Sequence, residues 1–216
     1  MTSQEFRDRL ANRTRLAGVA LDVEIVERLE AYFRLLAHWN AKINLTALPL
    51  DSPTDETYDR LLVEPLTAGR FVPDSPLTWF DLGSGGGSPA IPLKILRTRL
   101  KLTMVEAKAR KSAFLREASR VLGLVDTDVE QARFENLSPR SAGTADLVTV
   151  RAVRADEHLF AAAAQLLVNG GRVLWFGAKS QAVLAAPDFR LVEVPALEQP
   201  SSSIAVLERV SRQESG

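Results

Sequence analysis

Asp81-Leu-Gly83-Ser-Gly85-Gly-Gly87 decides how the rest of this 216-residue chain is read. It follows a short apolar run, Leu77-Thr-Trp-Phe80, and leads into Ser88-Pro-Ala-Ile-Pro92-Leu-Lys-Ile-Leu96. That order reads as strand, glycine-rich turn, helix. Glycines at such a turn let the backbone approach a ligand closely and adopt positive φ. The helix start behind them offers free N–H groups. A nucleotide-like ligand is therefore the first expectation. The spacing excludes two common versions. In a G-x-G-x-x-G frame counted from Gly83 and Gly85, the third glycine position is Ser88, so the dinucleotide fingerprint fails. No Gly-Lys-Ser/Thr follows, so the P-loop fails as well.

Outward from the turn, the C-terminal two thirds alternates. Thr78–Asp81 reads as a strand, Ser88–Arg97 as a helix, Leu100–Glu106 as a strand and Lys108–Leu122 as a helix capped at Gly123. Thr127–Gln131 and Asp146–Val150 read as strands, Asp156–Val168 as a helix, Asn169-Gly170-Gly171 as a turn and Arg172–Phe176 as a strand. Phe189–Val194 and Ile204–Val210 have no helix between them and are expected to form an antiparallel hairpin. Strands alternating with helices imply an α/β fold with a mostly parallel sheet. Upstream the chain reads helical. Ser3 to Leu16 is amphipathic, and in Asp22 to Asn40 the residues Ile25, Val26, Leu29, Tyr32, Phe33, Leu36 and Trp39 share one face. Leu48 to Asp59 reads as loop, and Tyr58 to Phe71 as a helix with Pro65 a kink or break. Residues 1–75 are thus expected to be a helical extension packed on a core of residues 76–216.

Composition narrows the chemistry. Apolar residues make up 46% of the chain, enough for a sizeable core. The absence of cysteine excludes disulfides, zinc–thiolate sites and cysteine nucleophiles. Two histidines, His38 and His158, make a histidine-based metal site improbable. No apolar run approaches membrane-spanning length and the N-terminus shows no signal-peptide pattern, so a cytoplasmic protein with no membrane partner is expected, most simply a monomer. A net charge of zero argues against indiscriminate nucleic-acid binding, yet Lys94 to Arg120 carries about +7. That segment reads either as a phosphate-facing surface or as a solvated helix face.

Ligands of parallel sheets sit at the carboxyl ends of the strands. The first such end is Asp81 to Gly87. The second ends at Glu106, where a carboxylate suits two ribose hydroxyls or a helix cap. The third is followed by Gln131-Ala-Arg133-Phe134-Glu135, which reads as a reader of an adenine edge or as a surface pair. The fourth ends in Thr149-Val150-Arg151, and an arginine there must pair with a carboxylate or face a cleft.

Asp-x-Gly-x-Gly-x-Gly is similar to the first motif of class I S-adenosylmethionine-dependent methyltransferases. The resemblance extends further. Trp39-Asn40-Ala-Lys42-Ile-Asn44-Leu45-Thr46 resembles the N-terminal Asn-x-x-x-Asn-Leu-Thr signature of the bacterial small-subunit rRNA guanine-N7 methyltransferases, the RsmG (GidB) family. Gly83 to Leu93, Lys108-Ala-Arg-Lys-Ser-Ala-Phe-Leu115, Arg133, Val150-Arg151-Ala152 and Gly170-Gly171-Arg172 continue the match in order, over roughly residues 22 to 180. The resemblance implies a Rossmann-like class I methyltransferase fold, with a seven-stranded sheet, a C-terminal antiparallel hairpin and N-terminal helices. It implies S-adenosyl-L-methionine as cofactor and small-subunit rRNA or the small ribosomal subunit as partner. Carried over, it places Asp81, Gly83, Ser84, Gly85, Gly87, Glu106, Arg133, Phe134, Glu135 and Arg151 at the cofactor, and Arg151, Asn44 and Lys179 at the reaction, with Thr46 on the rim. The chain departs from the family where a His-x-x-Asp-Ser segment is usual. It has Glu64-Pro65-Leu66-Thr67-Ala68 there, and Ser201-Ser202-Ser203 where a basic residue often opens the last strand.

Overall fold

The computed structural model describes residues 1–151, 153, 157–177, 188–193 and 204–210. Two long helices come first, α1 (Ser3–Leu16) and α2 (Val23–Asn40). A short helix α3 (Asp55–Tyr58), a π-helical turn (Asp59–Val63), α4 (Glu64–Ala68) and a 3-10 turn (Gly69–Phe71) follow without interruption. The sheet elements then alternate: β1 (Thr78–Leu82), α5 (Ala90–Leu96), β2 (Lys101–Val105), α6 (Ala109–Val121), β3 (Thr127–Glu130), β4 (Ala145–Arg151), α7 (Glu157–Leu166), β5 (Leu167–Phe176), β6 (Phe189–Glu193) and β7 (Ile204–Arg209).

The seven strands form one sheet in the order β3-β2-β1-β4-β5-β7-β6. The first five strands pair in parallel, and β7 lies antiparallel between β5 and β6. The last two strands are therefore the expected antiparallel pair, with the later one inserted next to β5. The inner strand β1 is buried along most of its length, and its apolar residues face helices on both sides. On one side Trp79, Leu102, Met104 and Leu174 meet the buried face of α2 (Leu29, Phe33, Leu36) together with Phe114 of α6. On the other, Phe80, Leu82, Val148 and Val173 meet Leu159, Ala163 and Leu166 of α7. The N-terminal helices are thus part of the main core, fixed by the aromatic cluster of Phe6, Phe33 and Tyr58, whose ring centroids lie 5.4–5.8 Å apart.

Three boundaries differ from the sequence reading. The stretch before Tyr58 is not all loop. Thr54 caps α3 through a reciprocal pair with Thr57, which starts the helix at Asp55. Pro65 does not break the helical run. The chain enters it through a π turn in which the Glu64 N–H donates to the carbonyl of Asp59, and Pro65 falls in the first turn of α4. The helix expected to reach Val168 stops at Leu166, and Leu167 already pairs with Ala145. The next pair is Leu147 with Arg172, so Val168–Gly171 bulges out of the ladder with Gly170 at φ +77°. The turn signal was real, but it marks a bulge inside one strand.

Candidate active site

The carboxyl ends of β1, β2 and β4 meet the N-terminal helices at a cleft of about 420 Å³. Its floor is the turn Gly83–Gly86 with Glu106. Leu36 and Leu45–Leu48 form one wall, Arg60 and Leu61 another, and Ser88, Lys111 and Arg151 complete the lining.

The turn is built by backbone bonds and held from outside. The N–H groups of Gly83 and Ser84 both donate to the carbonyl of Val105 at 2.9 and 3.0 Å, locking the turn to the end of β2. Tyr32 of α2 donates its hydroxyl to the carbonyl of Gly86 at 2.7 Å, and burial pushes that phenol well above its usual range. Gly85 has φ +52°, and a Cβ placed there has nothing closer than the Gly83 carbonyl at 3.7 Å and the Lys111 Nζ at 3.9 Å. A side chain at Gly85 would enter the cleft. At Gly87 the restriction is packing, since a Cβ would stand 2.5 Å from Ile91.

Glu106 follows β2 and ties the site together. One carboxylate oxygen accepts the N–H of Gly85 at 3.0 Å and the other that of Lys108 at 2.8 Å, at the start of α6. It thus lines the cleft and braces the entry to α6, and each oxygen keeps a free lone pair.

Asp81 is fully buried. Its Oδ1 accepts from the hydroxyl of Thr149 at 2.5 Å, and that hydroxyl accepts from the indole N–H of Trp79 at 2.8 Å. The register explains the triad. Asp81 pairs with Thr149 across the β1–β4 ladder, and Trp79 lies two residues back on the same face of β1. The other oxygen, Oδ2, is buried with no partner. Burial pushes the carboxyl up to about 6, against the downward pull of Thr149, Ser84 and Arg151.

Arg151, at the end of β4, answers the question of carboxylate or cleft with both. Its Nη1 lies 2.7 Å from Glu64 Oε2, and its guanidinium stacks 4.7 Å above the Phe176 ring. Its Nε and Nη2 are buried without partners. Burial pulls its pKa down while the Glu64 charge opposes the shift. The segment that departs from the family pattern, Glu64 to Ala68, is therefore the one that supplies a carboxylate to Arg151.

Other expected residues lie farther out. Asn44 is exposed beside the buried Leu45 and is not among the residues lining the cleft. Asn40, by contrast, accepts the N–H groups of Leu45 and Thr46 and shapes this wall. Arg133 and Glu135 are exposed at the end of β3, Phe134 packs on the α7 side of the sheet, and none of the three lines the cleft. Lys179 and Ser201–Ser203 lie outside the described residues. The basic segment divides. Lys94, Arg97 and Arg99 donate to backbone carbonyls, Lys94 to those of Thr98 and Leu100, so they serve the fold. Lys108, Arg110 and Lys111 gather at the first turn of α6, which carries no acidic residue. The sequence reading did not single out Arg60, Glu64, Tyr32 or Thr149 as partners within this site. Among the described residues no cluster suits a metal ion, and no helix is long and apolar enough to cross a membrane.

The strand order, with the glycine turn after β1 and an antiparallel end at β7, defines the class I methyltransferase fold. Solved structures share it. The chain superposes on a SAM dependent methyltransferase from Aquifex aeolicus with a TM-score of 0.56 at 14% identity, covering 75% of this chain and 95% of that one. It superposes on TrmN from Thermus thermophilus with a TM-score of 0.52 at 21% identity, covering 68% and 49%. Residues 25–193 match the GidB family, described as rRNA small subunit methyltransferase G, and the chain belongs to that family. The relative named Ribosomal RNA small subunit methyltransferase G from Roseiflexus sp. (strain RS-1) is 39% identical over 150 residues, 68% of this chain and 62% of that protein. The one from Stenotrophomonas maltophilia (strain K279a) is 38% identical over 161 residues, 74% of this chain and 72% of that protein. The match thus spans less than two thirds of the Roseiflexus protein.

Proposed function

We propose that this protein is an S-adenosyl-L-methionine-dependent methyltransferase acting on N7 of a guanine in small-subunit (16S) rRNA. One observation supports the reading above the others. Arg151 lines the cleft with its Nε and Nη2 buried and without partners, and Asp81 Oδ2, behind the glycine turn at the end of the neighbouring strand and not itself in the lining, is buried without one too. Buried polar groups normally find partners, so a ligand that offers both a donor and an acceptor fits this site. A molecule with an ammonium, a carboxylate and a ribose has those groups. Asp81 and Arg151 would hold the amino-acid end, the Gly83–Gly87 turn the middle, and Glu106 the ribose hydroxyls.

When bound, the cofactor supplies an electrophilic methyl group on a sulfonium. The acceptor nitrogen N7 of guanine carries a free lone pair, so the chain has no proton to remove. That fits a cleft whose lining, among the described residues, offers no histidine or cysteine. The work left to the protein is alignment. Leu36, Leu45 and Leu48 make one wall apolar, while Lys111 and Arg60 give the cleft a positive rim for RNA.

The test is methyl transfer from labelled S-adenosylmethionine to small ribosomal subunits lacking their guanine-N7 modification. Label mapped to a guanine N7 is the expected result. Cofactor binding with no label on the rRNA would overturn the assigned acceptor.

A further inference from the structure

Arg60 stands on an unusual piece of backbone. It is the second residue of the π turn Asp59–Val63, and it is one of the residues lining the cleft. A π turn widens the helix and releases carbonyls from the regular ladder. Pro65, lacking an N–H, leaves the Arg60 and Leu61 carbonyls further short of donors. The Ser88 hydroxyl, from just beyond the glycine turn, reaches both, at 3.4 and 2.9 Å.

A second grip comes from α1. Arg13 makes a paired contact with Asp59 at 2.8 and 2.5 Å, with both side chains largely buried. The backbone carrying Arg60 is therefore fixed from two sides. The guanidinium itself is not. Its one ion pair within the described residues is with Glu56 at 3.5 Å, one turn back, and both side chains are about half exposed. Such a pair is worth little and is easily exchanged. A rigid base bearing a loosely engaged cation, facing a cleft that Lys111 and Arg151 also line, is the arrangement of an anion clamp.

We propose that Arg60 binds a backbone phosphate of the RNA substrate at the mouth of the cleft. The assignment rests on the RNA methyl-transfer reading above. An anion in this cleft has two sources, a phosphate of the RNA or the carboxylate of the cofactor. Arg151 has two buried nitrogens without partners and is assigned above to the carboxylate, whereas Arg60 is only half-buried.

The experiment measures binding of unmodified small-subunit rRNA to the full chain across a salt series, with cofactor affinity by calorimetry and thermal melting on the same samples. Arg60→Gln is expected to flatten the plot of log affinity against log salt by about 0.7 to 1. Arg60→Lys keeps the charge and retains the slope. Cofactor affinity and melting temperature stay at the wild-type values in both. A wild type that binds the RNA, with an unchanged slope in Arg60→Gln, overturns the assignment of Arg60 alone. A loss of cofactor affinity with an unchanged slope assigns Arg60 to the carboxylate and overturns it too. A wild type that neither binds nor methylates the RNA removes the underlying reading and this one with it.

Discussion

Replacing Asp81 with asparagine is expected to stabilise the protein in alkaline solution. Asp81 has no exposed surface, its Oδ1 is satisfied by Thr149 and its Oδ2 by nothing. Asparagine is isosteric, and its amide oxygen still accepts from Thr149. What changes is the charge, and with it the partnerless Oδ2, which becomes an amide nitrogen whose two N–H groups also lack acceptors and take back part of the gain at every pH. Burial raises the carboxyl from its ordinary value of 3.8 to about 6. A raised folded-state value means the stabilising condition is the protonated one. Its contribution is full below the unfolded value and is lost as pH rises through about 6. The difference corresponds to roughly 3 kcal/mol once the carboxyl is ionised. Asp81→Asn escapes that loss. In urea unfolding its advantage over the wild type is expected to reach at most roughly 3 kcal/mol near pH 8 and to shrink by about 1.5 kcal/mol near pH 5. The attraction of Arg151 is already contained in the raised value, because it acts on the same carboxylate. A variant less stable than wild type near pH 8, or a gain equal at both pH values, would refute this account of Asp81. If Asp81 meets the cofactor's ammonium, the same variant binds S-adenosylmethionine more weakly while melting higher.

Three further substitutions probe the rest of the site. Gly85→Val places a β-branched residue at φ +52° with its side chain in the cleft, and is expected to abolish cofactor binding; unchanged affinity by calorimetry would remove the turn from the binding site. Arg151→Ala takes the guanidinium away from the buried Glu64 at 2.7 Å and is expected to lower stability by about 3 kcal/mol in urea unfolding, with partial recovery when Glu64→Gln is added; a loss below about 1 kcal/mol would show that the pair matters little. Thr149→Val strips Trp79 Nε1 of its acceptor and Asp81 of its donor, and about 2 kcal/mol of stability should go with them; wild-type stability in equilibrium unfolding would sink the relay.

The fold was legible because its signals are local. The glycine turn, the strand–helix alternation after Thr78 and the periodic apolar face of α2 each depend on residues close in sequence. The boundaries that moved did so for reasons that spacing does not display. Thr54 and Thr57 start a helix through side-chain bonds, and Pro65 is tolerated because Ser88, remote in sequence, offers its one hydroxyl donor to the carbonyls left without an N–H. At the site, the backbone half was readable and the charge pairing was not. Arg151 announced a buried cation at a strand end, but nothing near it in sequence named Glu64 as its partner. Thr149 reads as one more β-branched strand residue until the register sets it beside Asp81. The basic stretch from Lys94 to Arg120 showed the opposite failure. It looked like one surface, yet its first residues are spent on backbone carbonyls, where a long cationic side chain is a convenient donor.

The buried charges of this cleft are hard to explain by folding alone. Apolar residues of similar size at Asp81, Arg151 and Glu64 would avoid desolvating three ionisable groups, and such replacements are often neutral or stabilising. The arrangement also stops short of satisfying itself. Arg151 spends one nitrogen on Glu64 and Asp81 one oxygen on Thr149, leaving two donors and one acceptor sealed from water. Full pairing would have made a better core, and full exposure a cheaper surface. Partial pairing fixes the orientation of both groups while keeping their remaining valences for something else. Tyr32 and Glu106 act in the same sense on the backbone, holding Gly86 and Gly85 in place before any ligand arrives. For a transfer that needs alignment and no proton removal, preorganisation of this kind is the catalytic contribution a protein can make. On the proposed function, the stability lost at Asp81 is the counterpart of a site shaped in advance for the zwitterionic end of the cofactor.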